Sequence, residues 1–319
     1  MSRRALAPVE PDASAFRLIS RHLILHRVKN SLVSLMRNLK FTLAYDGTRY
    51  VGWQSQSNGR AIQEVMERCL SRLTGEEAKL LVAGRTDSGV HALGQVCSLR
   101  TNSRIPCHGL RNALQDILPE DILIREVEEM PLDFHATFSA KCKHYRYVIF
   151  NSKLPNPFVR HYAYHYHVAL DADVMHTAAQ ELLGTNDFRC FETKWPNKAT
   201  SVRTILHAAV TRQTGWPVFS YPPPTDSQPY ASPRARSAPA EPLGGEFLWI
   251  DLVADGFLYN MVRTIVGTLI RVGRGYWEPS DIRRIIDQQD RRRAGETVPP
   301  QGLYLVNVTY DGAGESSRR

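Results

Sequence analysis

The hydrophobic period of this chain switches between that of a strand and that of a helix in a fixed order, and the order then recurs. Regular structure starts near Leu39, and FTLAY, 41–45, reads as a strand closed by the Asp46-Gly47 turn. Over 61–73, residues Ile62, Val65, Met66, Cys69, Leu70 and Leu73 share one stripe at helical spacing, and Gly75 ends it. Strands follow at 79–83 and 95–101, then a helix at 108–118 stopped by Pro119, then a strand at 122–130. The order β-α-β-β-α-β is the ferredoxin-like arrangement, in which both helices cover one face of an antiparallel sheet.

The second half repeats it. A strand at 143–151, a helix at 171–184, strands at 202–212 and 247–255 and a strongly apolar helix at 258–273 come first. An added helix at 279–289, with Pro279 near its start, precedes an alternating strand at 303–310. Identity between the halves is negligible, so the repeat rests on element order. The expected fold is α+β: two ferredoxin-like halves, 38–140 and 141–312, with antiparallel sheets and helices on one face.

Three segments fall outside this pattern. Residues 1–40 carry eight Lys/Arg against two acids, and 18–37 mix arginine with leucine without any acid. Residues 1–37 read as a basic extension, flexible or helical, with an organelle-targeting presequence and a spurious upstream start as the alternatives. The stretch 214–246 is rich in proline, serine and alanine and has no apolar period. Such a composition buries too little area to offset its ordering entropy, so it reads as a flexible hairpin insertion. A polar tail, 313–319, ends the sequence.

Charge and cysteine usage narrow the partners. The formal charge of +8 favours a polyanion such as nucleic acid, provided that the mildly basic body gathers its charge in one place. Cys69, Cys97, Cys107, Cys142 and Cys190 lack metal-ligand spacing and read as reduced thiols of a cytoplasmic protein. No apolar run reaches the roughly 18 residues of a membrane span.

Chemistry concentrates in three places. In AGRTDSGVHALGQV, 83–96, Gly84, Gly89 and Gly94 allow sharp turns, and Asp87 can point into open space from a fixed backbone. Arg85 can pair with Asp87 and keep it ionised, which suits a nucleophile or a base; a structural loop salt bridge is the other reading. His91 is isolated and reads as structural or surface. Along 143–148, Lys143, Tyr145 and Tyr147 share one strand face, and His144, Arg146 and Val148 the other. Aromatics with basic neighbours can stack bases and hold phosphates, although the tyrosines are equally at home in a core. Arg263 is a lone charge in an apolar helical turn, costly to bury unless paired. Asp87 is its candidate partner if the halves face each other; the alternative is a side chain snorkelling to the helix surface. Arg160, His161, His165 and His167 lack metal-ligand spacing and read as RNA-facing or surface.

Seven runs, in order, resemble the TruA-type tRNA pseudouridine synthases. They are FTLAYDGTRYVGWQ (41–54), AGRTDSGVHALGQV (83–96), FSAKCKHYRYVIF (138–150), GTNDFRCF (184–191), SVRTI (201–205), FLYNMVRTIVGTLIRVG (257–273) and GLYLVNVTY (302–310). The resemblance covers nearly the whole body from Leu39 to Tyr310. It implies an essential aspartate at Asp87, its neighbouring arginine at Arg85, a tyrosine stacked on the target base at Tyr145 and a further active-site arginine at Arg263. It also implies an active-site cleft between two similar halves, a homodimer bridged by RNA, and no metal or organic cofactor. The substrate implied is the tRNA anticodon stem-loop, at uridines 38, 39 and/or 40 of the tRNA. One departure is Thr137, where the family's HARFSA run carries arginine. A non-catalytic RNA-binding protein of the same fold is the alternative, and a carboxylate-based hydrolase lacks a second carboxylate or metal cluster.

Overall fold

The computed structural model of the 319-residue chain describes residues 36–57, 59–193, 200–214 and 246–311. Apart from their edge residues, the expected extension 1–37, insertion 214–246 and tail 313–319 lie outside the described residues.

The first half comprises β1 (Arg37–Tyr45), α1 (Ile62–Thr74), β2 (Leu81–Val82), β3 (His91–Thr101), α2 (Cys107–Ile117) and β4 (Ile122–Met130). The second comprises β5 (Ala140–Asn151), β6 (Tyr164–Tyr166), α3 (Ala172–Gln180), β7 (Gly184–Asp187), β8 (Val202–Thr214), β9 (Glu246–Ala254), α4 (Met261–Gly273), α5 (Asp281–Gln288) and β10 (Leu303–Tyr310). Local chemistry explains the boundaries. The stripe of α1 is buried, and Gly75 closes it at φ 72°, where a glycine meets no steric penalty. The Asp171 carboxylate caps α3 by accepting from the Asp173 and Val174 amides.

The strands form a single mixed sheet in the order β4-β1-β3-β10-β5-β9-β8-β7, with β2 on β3 and β6 on β5. The separate antiparallel sheets expected from the sequence are thus corrected to one. The last strand, β10, lies antiparallel to β5 and parallel to β3 through the pairs Tyr304–His91 and Leu305–Ala92. This contact exists because β3 begins at His91, four residues before the alternating pattern shows it. The strand expected at 79–83 shrinks to Leu81–Val82, and β6 and β7, of three and four residues, are too short to show a period. The helix expected to reach 184 ends at Gln180.

Both halves bury one face of this sheet against the helices. A continuous core runs from Phe41 and Met66 through Tyr147 to Ile265 and Leu305, and a smaller cluster including Val148, Phe150, Trp249 and Tyr304 lies apart from it. Strand β5 shows the alternation expected: Tyr145, Tyr147 and Ile149 join the main core, while Val148 and Phe150 join the smaller cluster. Helix α4 is buried almost all round, and each fully buried Ile265, Val266 or Leu269 contributes about 1.5–3 kcal/mol. Its Gly267 lies so close to the Glu296 carbonyl that a Cβ would stand 1.9 Å from the oxygen. That approach seats the 294–298 segment against α4.

On the strand face of Val148, the Asp251 carboxylate accepts from His144 Nε2 at 2.6 Å and from Arg146 Nε at 2.9 Å. The Arg146 guanidinium also stacks 3.7 Å from the Trp249 ring centroid. Burial opposes the charge on Asp251, but the hydrogen bond from His144 and the Arg146 charge outweigh it and hold the carboxyl below its usual range. Asp251→Asn leaves the Arg146 charge buried without its counter-ion. We expect it to lower stability by about 3 kcal/mol in urea unfolding at neutral pH. A folded-state pKa below the unfolded 3.8 places this stabilisation above that value and removes it as pH falls through the folded one, so the wild-type advantage narrows in acid.

Candidate active site

The 83–90 loop between β2 and β3 is pinned from two sides. On the sheet side, Ala83 donates its amide to the Val96 carbonyl at 2.8 Å. Gln95, fully buried, donates Nε2 to the Gly84 carbonyl at 2.8 Å and to the Tyr45 hydroxyl at 3.3 Å. The Tyr45 hydroxyl in turn lies 2.7 Å from Thr86 Oγ1. On the other side, Trp53 donates its amide to the Thr86 carbonyl at 3.0 Å, and Gly52 bridges Asp87. Gly52 sits at φ 108°, and a Cβ there would stand 2.5 Å from the Thr86 carbonyl oxygen. The 50–53 segment is therefore the bed of the loop, a role that its sequence run did not disclose.

This loop forms one wall of a cleft of about 950 Å³. The opposite wall is the entrance to α4, residues 257–263, and Lys143 and Tyr145 of β5 lie between them. All four residues singled out in the sequence, Arg85, Asp87, Tyr145 and Arg263, line it. The expected pairing of Arg263 with Asp87 is present: Nη1 lies 3.9 Å from Oδ2, with the side chains 15% and 32% exposed. That separation is an ion pair beyond hydrogen-bond distance, so it orients the carboxylate without capping it. Two further bonds hold the guanidinium, from Nε to the Val298 carbonyl at 2.7 Å and from Nη1 to Asn260 Oδ1 at 2.8 Å.

Arg85 lies at the surface of the cleft. Thr86 turns inward to Tyr45 and Arg85 is exposed, while Arg263 forms an ion pair with Asp87 from across the cleft. Tyr145 is 7% exposed and meets Phe257 edge-on at 5.0 Å. Burial, then the nearby Tyr45 and Asp87, push its phenol well above the usual value, so it is neutral at neutral pH. Lys143 shares the Tyr145 face, as its strand position indicated, and its Nζ would stand 3.1 Å from a Cβ placed on Gly84. Among the described residues, the charged side chains lining the cleft are three cations, Arg85, Lys143 and Arg263, and one carboxylate, a balance that attracts an anion.

Other candidates fall elsewhere. His91 is buried, accepts the Gly47 amide at 3.1 Å through Nδ1 and stacks on Tyr304 at 4.8 Å, a structural role. Arg160, His161, His165 and His167 are not among the residues lining the cleft, and His165 Nε2 lies 2.8 Å from the Ser152 carbonyl. Thr137 does line it and donates its hydroxyl to the Val82 carbonyl at 2.6 Å. Asn260 and Lys143 are the residues that the sequence reasoning left out of the site. Among the described residues, no group of three or more His, Cys, Asp or Glu side chains could hold a metal ion, and no helix is long and apolar enough to cross a membrane.

The profile of the tRNA pseudouridine synthase family matches residues 42–139 and 178–311. The chain is 42% identical over 275 residues to the tRNA pseudouridine synthase A of Acetivibrio thermocellus, spanning 86% of this chain and 100% of that protein. It is 40% identical over 275 residues to the protein of the same name from Caldicellulosiruptor bescii, with the same coverage. The chain belongs to the tRNA pseudouridine synthase family.

The close approach of Gly52 to the loop is testable. Gly52→Ala adds a Cβ against the Thr86 carbonyl at a φ that alanine resists. We expect it to displace Asp87, lowering stability by about 2 kcal/mol and slowing pseudouridine formation about a hundredfold in single-turnover assays of the folded protein.

Proposed function

We propose that Asp87 is the carboxylate with which this enzyme isomerises uridine to pseudouridine in the tRNA anticodon stem-loop, at positions 38, 39 and/or 40 of the tRNA. The observation that carries this reading is the Arg263–Asp87 ion pair across a cationic cleft, in a chain of this family.

The reaction breaks the bond between C1′ of the ribose and N1 of uracil, rotates the base and joins C1′ to C5. The C5 proton is then lost and N1 gains one, so atoms and charge balance with no redox change. None of these steps calls for a metal or an organic cofactor. Asp87 serves either as a nucleophile on the nucleoside or as the group that stabilises and deprotonates the ribose during glycosidic cleavage. Both routes need an ionised carboxylate, and the Arg263 guanidinium favours that form. The neutral Tyr145 ring is suited to pack against uracil, which has to leave the stem to reach the cleft. Arg85, exposed at the rim, is suited to meet RNA as it enters, and Lys143 to neutralise a phosphate.

Strand neighbours run β4-β1-β3-β2 in the first half and β10-β5-β9-β8 in the second, which supports two ferredoxin-like units divided near residue 140. The family resemblance supports a homodimer bridged by RNA, and five reduced cysteines suit a cytoplasmic enzyme.

Asp87→Ala and Asp87→Asn are expected to lower pseudouridine formation about a thousandfold or more while tRNA binding is retained. Nucleotide mapping of modified tRNA alongside a filter-binding measurement checks both. Turnover by either variant at a rate near wild type would overturn the assignment of Asp87.

A further inference from the structure

The geometry points to Asn260 as a positioning residue for the reaction, aiming the Arg263 guanidinium at Asp87 through a Thr193–Asn260–Arg263 hydrogen-bond chain. The inference rests on the reading of Asp87 and Arg263 given above.

Asn260 occupies the position just before α4, where an asparagine ordinarily caps the helix with its side chain, a contact worth about 1 kcal/mol. Here the side chain makes no capping bond. Instead Oδ1 accepts from Arg263 Nη1 at 2.8 Å, and Nδ2 donates to Thr193 Oγ1 at 2.7 Å. Chemistry fixes that orientation of the amide, because a guanidinium only donates and so must face the oxygen. The Thr193 amide donates to the Tyr259 carbonyl at 3.4 Å, which ties the same segment to the backbone beside Asn260.

The backbone at Asn260 is in the left-handed region, at φ 60° and ψ 6°. Glycine would adopt that conformation more readily, and asparagine tolerates it better than most side chains. The start of α4 thus gains neither a cap nor an easy backbone from this residue. What the residue supplies is an amide with one end on Thr193 and the other on the Arg263 nitrogen nearest Asp87. Together with the Val298 carbonyl on Nε, it holds the guanidinium at two points, which fixes a planar group in rotation as well as in place.

The test compares Asn260→Gly, Thr193→Val and Thr193→Ser with wild type and Asp87→Ala. Asn260→Gly relieves the backbone and deletes the amide. Its single-turnover rate is expected to fall about tenfold to a hundredfold, with the dissociation constant for tRNA within about twofold of wild type. The acid limb of its pH–rate profile moves to higher pH, because a guanidinium free to swing away favours the ionised carboxylate less. Its melting temperature stays close to wild type. Thr193→Val, which releases the far end of the amide, slows the reaction by a smaller factor, and Thr193→Ser restores it. A folded Asn260→Gly enzyme with the wild-type rate and pH profile would overturn the inference, as would a loss confined to tRNA affinity. Should Asn260→Gly not fold, the Thr193 pair decides, and equal rates for Val and Ser at that position overturn it. An active Asp87→Ala enzyme would instead sink the reading on which the inference rests.

Discussion

Two residues of β10, Tyr304 and Leu305, pair with His91 and Ala92 of β3, and that short parallel contact turns two half-sheets into one. The rest of the site depends on it. The 83–90 loop runs directly into β3, so the registry of His91 sets where Asp87 stands. The residue before Tyr304, Leu303, already lines the cleft, and β10 continues against β5, which carries Lys143 and Tyr145. Helix α4 packs in the same core as β5 and brings Arg263 to the other wall. The stacking of His91 on Tyr304 and the bond from the Tyr304 hydroxyl to the Tyr162 carbonyl reinforce the junction with side chains. A side chain from each half can face its partner across the cleft only if the halves share a rigid frame, and this seam supplies it.

The same seam explains which parts of the molecule were legible in the sequence. Long elements with one buried face announce themselves: α1 by its stripe, β10 by an alternation that predicted both of its ends, β5 by two faces of different chemistry. The pairing of β10 with β3 was not legible, because no period records which strand will be a neighbour, and His91 looks like a loop residue until Tyr304 stacks on it. Residues 81–82 and the short strands β6 and β7 carry too few side chains for any period to emerge.

Site residues divide along a similar line. Arg263 could be read because a lone charge in an apolar turn must find a partner. Arg85 was read as the partner of Asp87 from closeness in sequence, which does not determine where a long side chain ends. With Thr86 turned to Tyr45, the guanidinium is left on the rim. Asn260 gave no signal at all. Its left-handed backbone would have been suspected only at a glycine, and its amide looks like an ordinary helix cap until the partners are known.

The contrast between two aspartate–arginine pairs, Asp251 with Arg146 and Asp87 with Arg263, separates a bracing role from an open one. Asp251 and Arg146 are almost fully buried, 2.9 Å apart, with His144 and Trp249 filling the remaining sides. Every lone pair aimed at a donor there is one less for a reactant, and such a closed set can only brace the sheet. Asp87 and Arg263 stand 3.9 Å apart with the carboxylate one-third exposed. Their attraction is of order 1 to 4 kcal/mol between water-like and protein-like screening, enough to favour the ionised form without sealing the carboxylate. In the proposed reaction a nucleoside needs that gap. It also needs the guanidinium to stay put while the gap is empty, and the ion pair is too long to ensure this by itself. The bonds from Arg263 to Val298 and Asn260 meet that need from behind, leaving the face toward the cleft open.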